Sequence, residues 1–359
     1  MEQSWSRYER YLRQNLGVYG SKRAAGLRSI ETLEDAVRAL SRKHFRRKMT
    51  DRRRADVVAK IAKAVDERRP LTIVVPFGGY KHFWNESAPT VDYAEMFHID
   101  FMVRNLLSLS QFLPGGVRIE YVSEDFLVPY MDNYSPQALD SYAQSFRKVV
   151  DWFDERTPEK IRISFWRLSE EYDTDAILRD VQDSLPCRVG NLMLLATELR
   201  DQALVRSRRS VNWSGWEDWS QMNDEERFVQ IVRARAMEMA FSDIGFIEKH
   251  VGLRYIEDLN VCAVFSWGMS SDNEEKQFLT LHSADGVCVD HWIGRGILID
   301  EGDGIRSTIL SRTQYEAASP MIRRYEVCGL DLPDIQTLHE IDVLVRLHDD
   351  IGRNGRSDG

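Results

Sequence analysis

Cysteine is scarce and scattered. Cys187, Cys262, Cys288 and Cys328 are the four in 359 residues, and no two form a Cys-x-x-Cys pair. That spacing supports neither a disulfide frame nor a cysteine-ligated zinc site and suits reduced thiols in a cytoplasmic protein. No run approaches the roughly 18 to 20 apolar residues that crossing a bilayer takes. The start, Met1-Glu-Gln-Ser-Trp-Ser-Arg7, lacks the short apolar stretch of a signal peptide. A cytoplasmic location with no membrane association is expected. Also missing are a Walker loop, a dinucleotide Gly-x-Gly-x-x-Gly, a Gly-x-Ser-x-Gly elbow and a His-Glu-x-x-His pair. P-loop ATP hydrolysis, dinucleotide redox chemistry, serine hydrolysis and zinc proteolysis thereby lose their usual support, and no cofactor is expected. Asp173-Thr-Asp175 offers oxygen ligands to a divalent ion, but an acidic loop of this length is ordinarily solvated, so no metal is assigned.

What is present is unevenly charged. The net charge is −9, yet residues 1–70 carry 19 Lys and Arg against 9 Asp and Glu, a local +10 that leaves −19 for the remainder. Arg42, Lys43, Arg46, Arg47, Lys48, Arg52, Arg53 and Arg54 form the densest part. Such a segment can neutralise several phosphates and makes a nucleic acid a candidate partner; pairing with the acidic body explains it equally well.

The most informative stretch is Leu71-Thr-Ile-Val-Val-Pro-Phe-Gly-Gly-Tyr-Lys-His-Phe-Trp-Asn85. Val74 and Val75 have the branching of a central strand, Pro76 is expected to end its ladder, and Gly78-Gly79 permits a sharp turn. Asp92 and Glu95 then open an apolar pattern at helical spacing that runs to Phe112. Strand, glycine loop and helix in this order place a ligand at the carboxyl edge of a parallel sheet. Lys81, His82 and Glu95 are the catalytic candidates, with Gly78, Gly79, Trp84 and Asn85 lining the substrate. A Lys81 partly desolvated by aromatic neighbours suits attack on a carbonyl or a point charge for a phosphate. Asp92-x-x-Glu95 is ambiguous, since a capping box alone accounts for both carboxylates, whereas a base or a grip on a substrate ammonium would also use Glu95.

The rest continues the alternation. Residues 1–70 form a basic helical arm, with helices over 30–40 and 57–65. Pro114-Gly-Gly116 leads into a strand over 117–122 that ends beside Ser123 and Asp125, both candidate substrate ligands. Ser135-Pro136 opens a helix to Trp152, and 161–166 is a third strand. Helices follow over 176–204 and 223–249, interrupted by the Trp-rich 212–219 segment. Short strands are expected at 261–265, 278–281, 287–292 and 305–310, with His282 and the Gly294-Arg-Gly296 turn poised to cover a cleft. The fold class is α/β, a Rossmann-like and mostly parallel sheet. The helical arm (1–70) precedes a catalytic core (71–250), a strand-rich lobe (251–350) and a disordered tail (351–359).

From Pro76 to about Tyr142 the order of features resembles the isocyanide (isonitrile) synthase family. Pro76, Lys81 and Asn85 follow the strand, Asp92-Tyr-Ala-Glu95 opens the helix, Pro114-Gly115 turns the chain, and Val117-Arg-Ile-Glu-Tyr-Val-Ser123 matches the next strand. The resemblance covers about a fifth of the chain. It implies a Rossmann-like enzyme that converts the amino group of an amino acid to an isonitrile with ribulose 5-phosphate as carbon source. Lys81 would handle the phosphosugar, with Glu95 and Ser123 near the substrate. His82 stands where the family has Ser, and Glu124-Asp125 where it has Asp-Gly. A second resemblance, to cyclodipeptide synthases, implies a tRNA-dependent aminoacyl transferase whose basic segment holds the acceptor stem.

Overall fold

The protein is described from a computed structural model covering residues 2–20, 29–40, 51–77, 81, 84, 89–123, 125–131, 133–210, 221–241, 259–260, 294–310 and 312–345. Among the described residues three helices come first: α1 (Glu2–Asn15), α2 (Leu33–Leu40) and α3 (Asp51–Asp66). Strand β1 (Leu71–Phe77) leads to α4 (Tyr93–Phe112), β2 (Val117–Ser123), a short α5 (Val128–Met131), α6 (Pro136–Asp154) and β3 (Ile161–Arg167). Then come a short α7 (Leu168–Glu171), α8 (Thr174–Met193), α9 (Thr197–Ser210), α10 (Asp224–Phe241) and β4 (Leu259–Asn260). A second strand group holds β5 (Arg295–Asp300), β6 (Ile305–Leu310), α11 (Arg312–Ala318), β7 (Ile322–Glu326) and β8 (Glu340–Val345).

The first sheet has the order β3-β2-β1-β4 and is parallel throughout, with Leu71 opposite Val117 and Val117 opposite Ile161. Alternation along β1 explains its two apolar faces. Ile73 and Val75 join the core containing α4 and α6, while Val74 packs with Val122 and Trp166 against α8 and α10. A sheet covered by helices on both faces is the α/β class read from the sequence. The second sheet, β6-β5-β8-β7, is mixed: β5 and β8 are parallel, and β6 and β7 are antiparallel to them.

Helix α4 lies between the two sheets, which is why Met96, Ile99, Met102, Val103, Leu106 and Leu109 are all buried. A helix apolar nearly all round is stable only when covered on several sides, each such side chain contributing about 1.5–3 kcal/mol. One core joins its residues to Ile73 and Ile119 of the first sheet and to Leu298 and Val343 of the second.

Local chemistry starts the helices. Ser135 accepts from the Ala138 amide at 3.1 Å, with Pro136 at the first helical position of α6. Thr32 and Asp35 cap α2 reciprocally, and Asn223 with Glu226 do the same for α10. Asp173 accepts from the Ala176 amide as the N-cap of α8.

Several expectations need correction. Pro76 does not end the ladder: β1 runs through Phe77, with Pro76 opposite Val122. The helix expected over 176–204 is two, because α8 stops at Met193 and α9 begins at Thr197. Within residues 1–70 the described helices α1, α2 and α3 are built into the body. Tyr8, Leu12, Val37, Leu40, Val57 and Ile61 join the main core, and Arg7 and the Tyr8 hydroxyl both reach Asp300 of β5. Of the expected C-terminal strands, 305–310 is β6; 261–265, 278–281 and 287–292 lie outside the described residues, as do 212–219, 242–249 and 351–359. Strands β5, β7 and β8 were not anticipated. Among the described residues no helix is long and apolar enough to cross a membrane.

Candidate active site

The site is built where α4 begins. Asp92 is its N-cap: Oδ1 accepts from the Ala94 amide at 2.6 Å, and the Asp92 amide donates to Glu95 Oε2 at 2.9 Å, closing a capping box. The same carboxylates do a second job. Lys81 Nζ lies 3.1 Å from Asp92 Oδ2 and 3.0 Å from Glu95 Oε1, and also donates to the Gly294 carbonyl. The capping box is present, and one oxygen of each carboxylate serves the helix while the other meets the lysine.

Lys81 reaches this position because its backbone is left-handed, at φ 58°, a conformation that costs a residue with a side chain roughly 1 kcal/mol or more. Its side chain is 2% exposed and Glu95 is fully buried. A buried ammonium needs compensation of this kind, since burial with a partner missing is strongly destabilising. Lys81 Nζ is set among the two carboxylates and the Gly294 carbonyl.

The second sheet closes the site. The Gly296 amide donates to Asp92 Oδ1 at 3.0 Å, so the chain on either side of Arg295 is tied to the start of α4 by Gly296 and to Lys81 by Gly294. A cleft of about 560 Å³, counting open solvent at its mouth, is lined by Lys81, Asp92, Trp84, Arg295, Arg324 and Asp342, with Thr90, Tyr93, Gly296, Thr337 and Glu340 completing it. Trp84 in this lining is set edge-on to Tyr315 behind it, their centroids 5.2 Å apart. The Arg295 guanidinium lies 4.5 Å from the Trp84 centroid. Asp342 accepts from Tyr315 at 2.6 Å and from Arg324 Nε at 3.1 Å.

Electrostatics single out Glu95. Loss of solvent on burial pushes its carboxyl up to about 7, against the Lys81 charge and the Tyr142 hydrogen bond, which pull down, and with the Asp92 charge, which pushes up. A raised folded-state pKa means Glu95 contributes most to stability below its unfolded value of 4.5, a contribution lost as pH rises to about 7. Tyr142 donates to Glu95 Oε1 at 2.8 Å from a fully buried position. Tyr142→Phe removes a bond to the charged form, and a loss of about 1.5–3 kcal/mol is expected at pH 8. The loss should shrink at pH 5, where Glu95 is protonated; urea unfolding at the two pH values checks this, and equal losses would contradict it.

Of the residues chosen from sequence, Lys81, Glu95 and Trp84 come together here, Glu95 behind Lys81 and away from the cleft lining. Asp92 is the carboxylate that faces the cleft. Ser123 and Asp125 are buried at the carboxyl end of β2 and do not line the cleft; Asp125 is engaged by Arg167 Nε at 2.9 Å and by Ser169. Gly78, Gly79, His82, Asn85 and His282 lie outside the described residues, as do Arg42, Lys43, Arg46, Arg47 and Lys48. Arg52 and Arg53 fall in α3 with their side chains undescribed, while Arg54 pairs with Glu34 of α2. Sequence reasoning missed Arg295, Tyr315, Arg324 and Asp342 as site residues. Gly-Arg-Gly was a visible signal for Arg295, but Arg324 and Asp342 become neighbours only through the β7–β8 register.

No protein-family model matches the chain, and no curated protein sequence does. Among solved structures, the PvcA (PA2254) protein from Pseudomonas aeruginosa is similar in fold, with a TM-score of 0.54 and 12% identity over 87% of this chain and 100% of that one.

Proposed function

We propose that this chain is a biosynthetic enzyme of the isonitrile synthase type, acting on the α-amino group of an amino acid with a phosphosugar as carbon donor. The observation that carries the reading is the Lys81 ammonium seated between Asp92 and Glu95 at the floor of a cleft. The elements bearing the isonitrile synthase motif order support it, since β1, Lys81, Asp92–Glu95, the Pro114 turn and β2 form one strand, loop, helix, strand unit. The fold shared with PvcA is consistent with it.

In this reading Asp92 meets the substrate ammonium, and Lys81 presents positive charge to a carbonyl or phosphate oxygen of the sugar. Glu95, with its pKa near neutrality, takes up or releases a proton behind Lys81. The conversion of R–NH₂ to R–N≡C adds one carbon and removes two hydrogens. The test is incubation of the purified protein with the twenty amino acids and ribulose 5-phosphate, followed by mass spectrometry. One amino acid should yield the mass of its isonitrile, and absence of that mass from every reaction would overturn the reading. The tRNA-dependent alternative finds no support, and Arg54 of its proposed grip is engaged by Glu34.

A further inference from the structure

Arg295 is not part of the reading above, and its setting is specific. It is the first residue of β5, between Gly294, whose carbonyl accepts from Lys81, and Gly296, whose amide donates to Asp92. Alternation along β5 then sets its direction. Gly296 and Leu298 face α4, whereas Ile297 and Ile299 share the opposite face with Leu344 and Tyr315. Arg295 follows the second set, so its side chain leaves the floor and runs along the cleft wall.

There two aromatic rings set the guanidinium: its carbon lies 4.5 Å from the Trp84 centroid and 5.8 Å from that of Tyr315. A guanidinium stacks by its face, and its N–H donors point outward in its own plane, where they match a planar or tetrahedral oxyanion. Arg324, two strands away in the same sheet, pairs with Asp342. Asp92 and the Lys81 cluster lie at the floor of the cleft, and the Arg295 guanidinium lies against Trp84 on its wall.

We propose that Arg295, held by Trp84, is the oxyanion-binding subsite of this cleft, recognising a substrate carboxylate or phosphate. Resting on the function proposed above, the subsite takes the α-carboxylate of the amino acid, whose ammonium faces Asp92, or the phosphate of the sugar.

Calorimetric titration tests it, with inorganic phosphate, ribulose 5-phosphate, the twenty amino acids and their methyl esters as probes. Wild-type protein should bind at least one oxyanion probe, and Arg295→Gln should weaken that probe at least about tenfold, as loss of a charge-assisted bidentate contact does. Trp84→Leu leaves the charge and removes its support, and a smaller loss in the same probe is expected. If a carboxylate is bound, the amino acid should lose to Arg295→Gln what its methyl ester does not; if a phosphate is bound, inorganic phosphate should show the loss. Arg295-dependent phosphate binding with no amino acid bound would keep the subsite and sink the amino-acid reading. Amino-acid binding present, with every bound oxyanion probe, phosphate included, indifferent to both variants, would sink the subsite and keep that reading. No oxyanion bound by the wild-type protein at millimolar concentration would also overturn the subsite.

Discussion

Lys81→Met is expected to remove function and to cost about 3–5 kcal/mol of stability at pH 8, the range for breaking a buried ion pair by deleting one partner. The substitution fills the space of the side chain and deletes only the charge. Asp92 Oδ2 and Glu95 Oε1 are then left without the ammonium that lies 3.1 and 3.0 Å away, and the Gly294 carbonyl loses its donor. The sign with pH follows from Glu95. Its pKa, about 7 with Lys81 present, must rise when the cation is gone, so Glu95 takes a proton and the deficit shrinks as pH falls toward 5. Unfolding in urea between pH 5 and 8 measures this, and a deficit that does not change with pH would contradict it.

The second large effect belongs to a glycine. A Cβ at Gly296 would stand 2.2 Å from the Ala94 amide nitrogen and 2.3 Å from the Tyr93 carbonyl carbon, both backbone atoms. No rotamer relieves such a clash, so strand and helix must separate, which strains the Gly296 to Asp92 hydrogen bond and with it the seat of Lys81. Gly296→Ala is expected to cost about 3 kcal/mol, at or above the upper end of ordinary overpacking. Gly304, in the β5–β6 hairpin, has no atom within 4 Å of an added Cβ, and Gly304→Ala should change stability by less than about 0.5 kcal/mol. Thermal unfolding of the two variants side by side separates a site-specific contact from a general intolerance of Ala; equal Tm values would refute the close approach.

The parallel sheet was legible because a central strand advertises itself. The apolar runs of β1, β2 and β3 have flanking turns and the helices between them carry caps, so Asp92, Ser135 and Pro136 mark helix starts that the structure reproduces. Lys81 and Glu95 could be picked for the same reason: both sit beside a strand end and a helix start. What could not be read was how the C-terminal strands pair. Arg295, Arg324 and Asp342 are spread over β5, β7 and β8, and only a mixed sheet order brings them to one cleft. The packing of the N-terminal helices was illegible for a related reason. Amphipathic helices show an apolar stripe in the sequence, but nothing in it says that Tyr8, Val37 and Ile61 cover the same core as β1.

The Lys81–Glu95 pair is the contact on which the site depends, and a double-mutant cycle reads it directly. Lys81→Met, Glu95→Gln and the double variant should be unfolded in urea at pH 8 alongside wild-type protein. The double variant is expected to lose about 2 kcal/mol less than the two single losses added together. Losses that add to within about 0.5 kcal/mol would mean the two residues do not interact, and the site as described would be wrong.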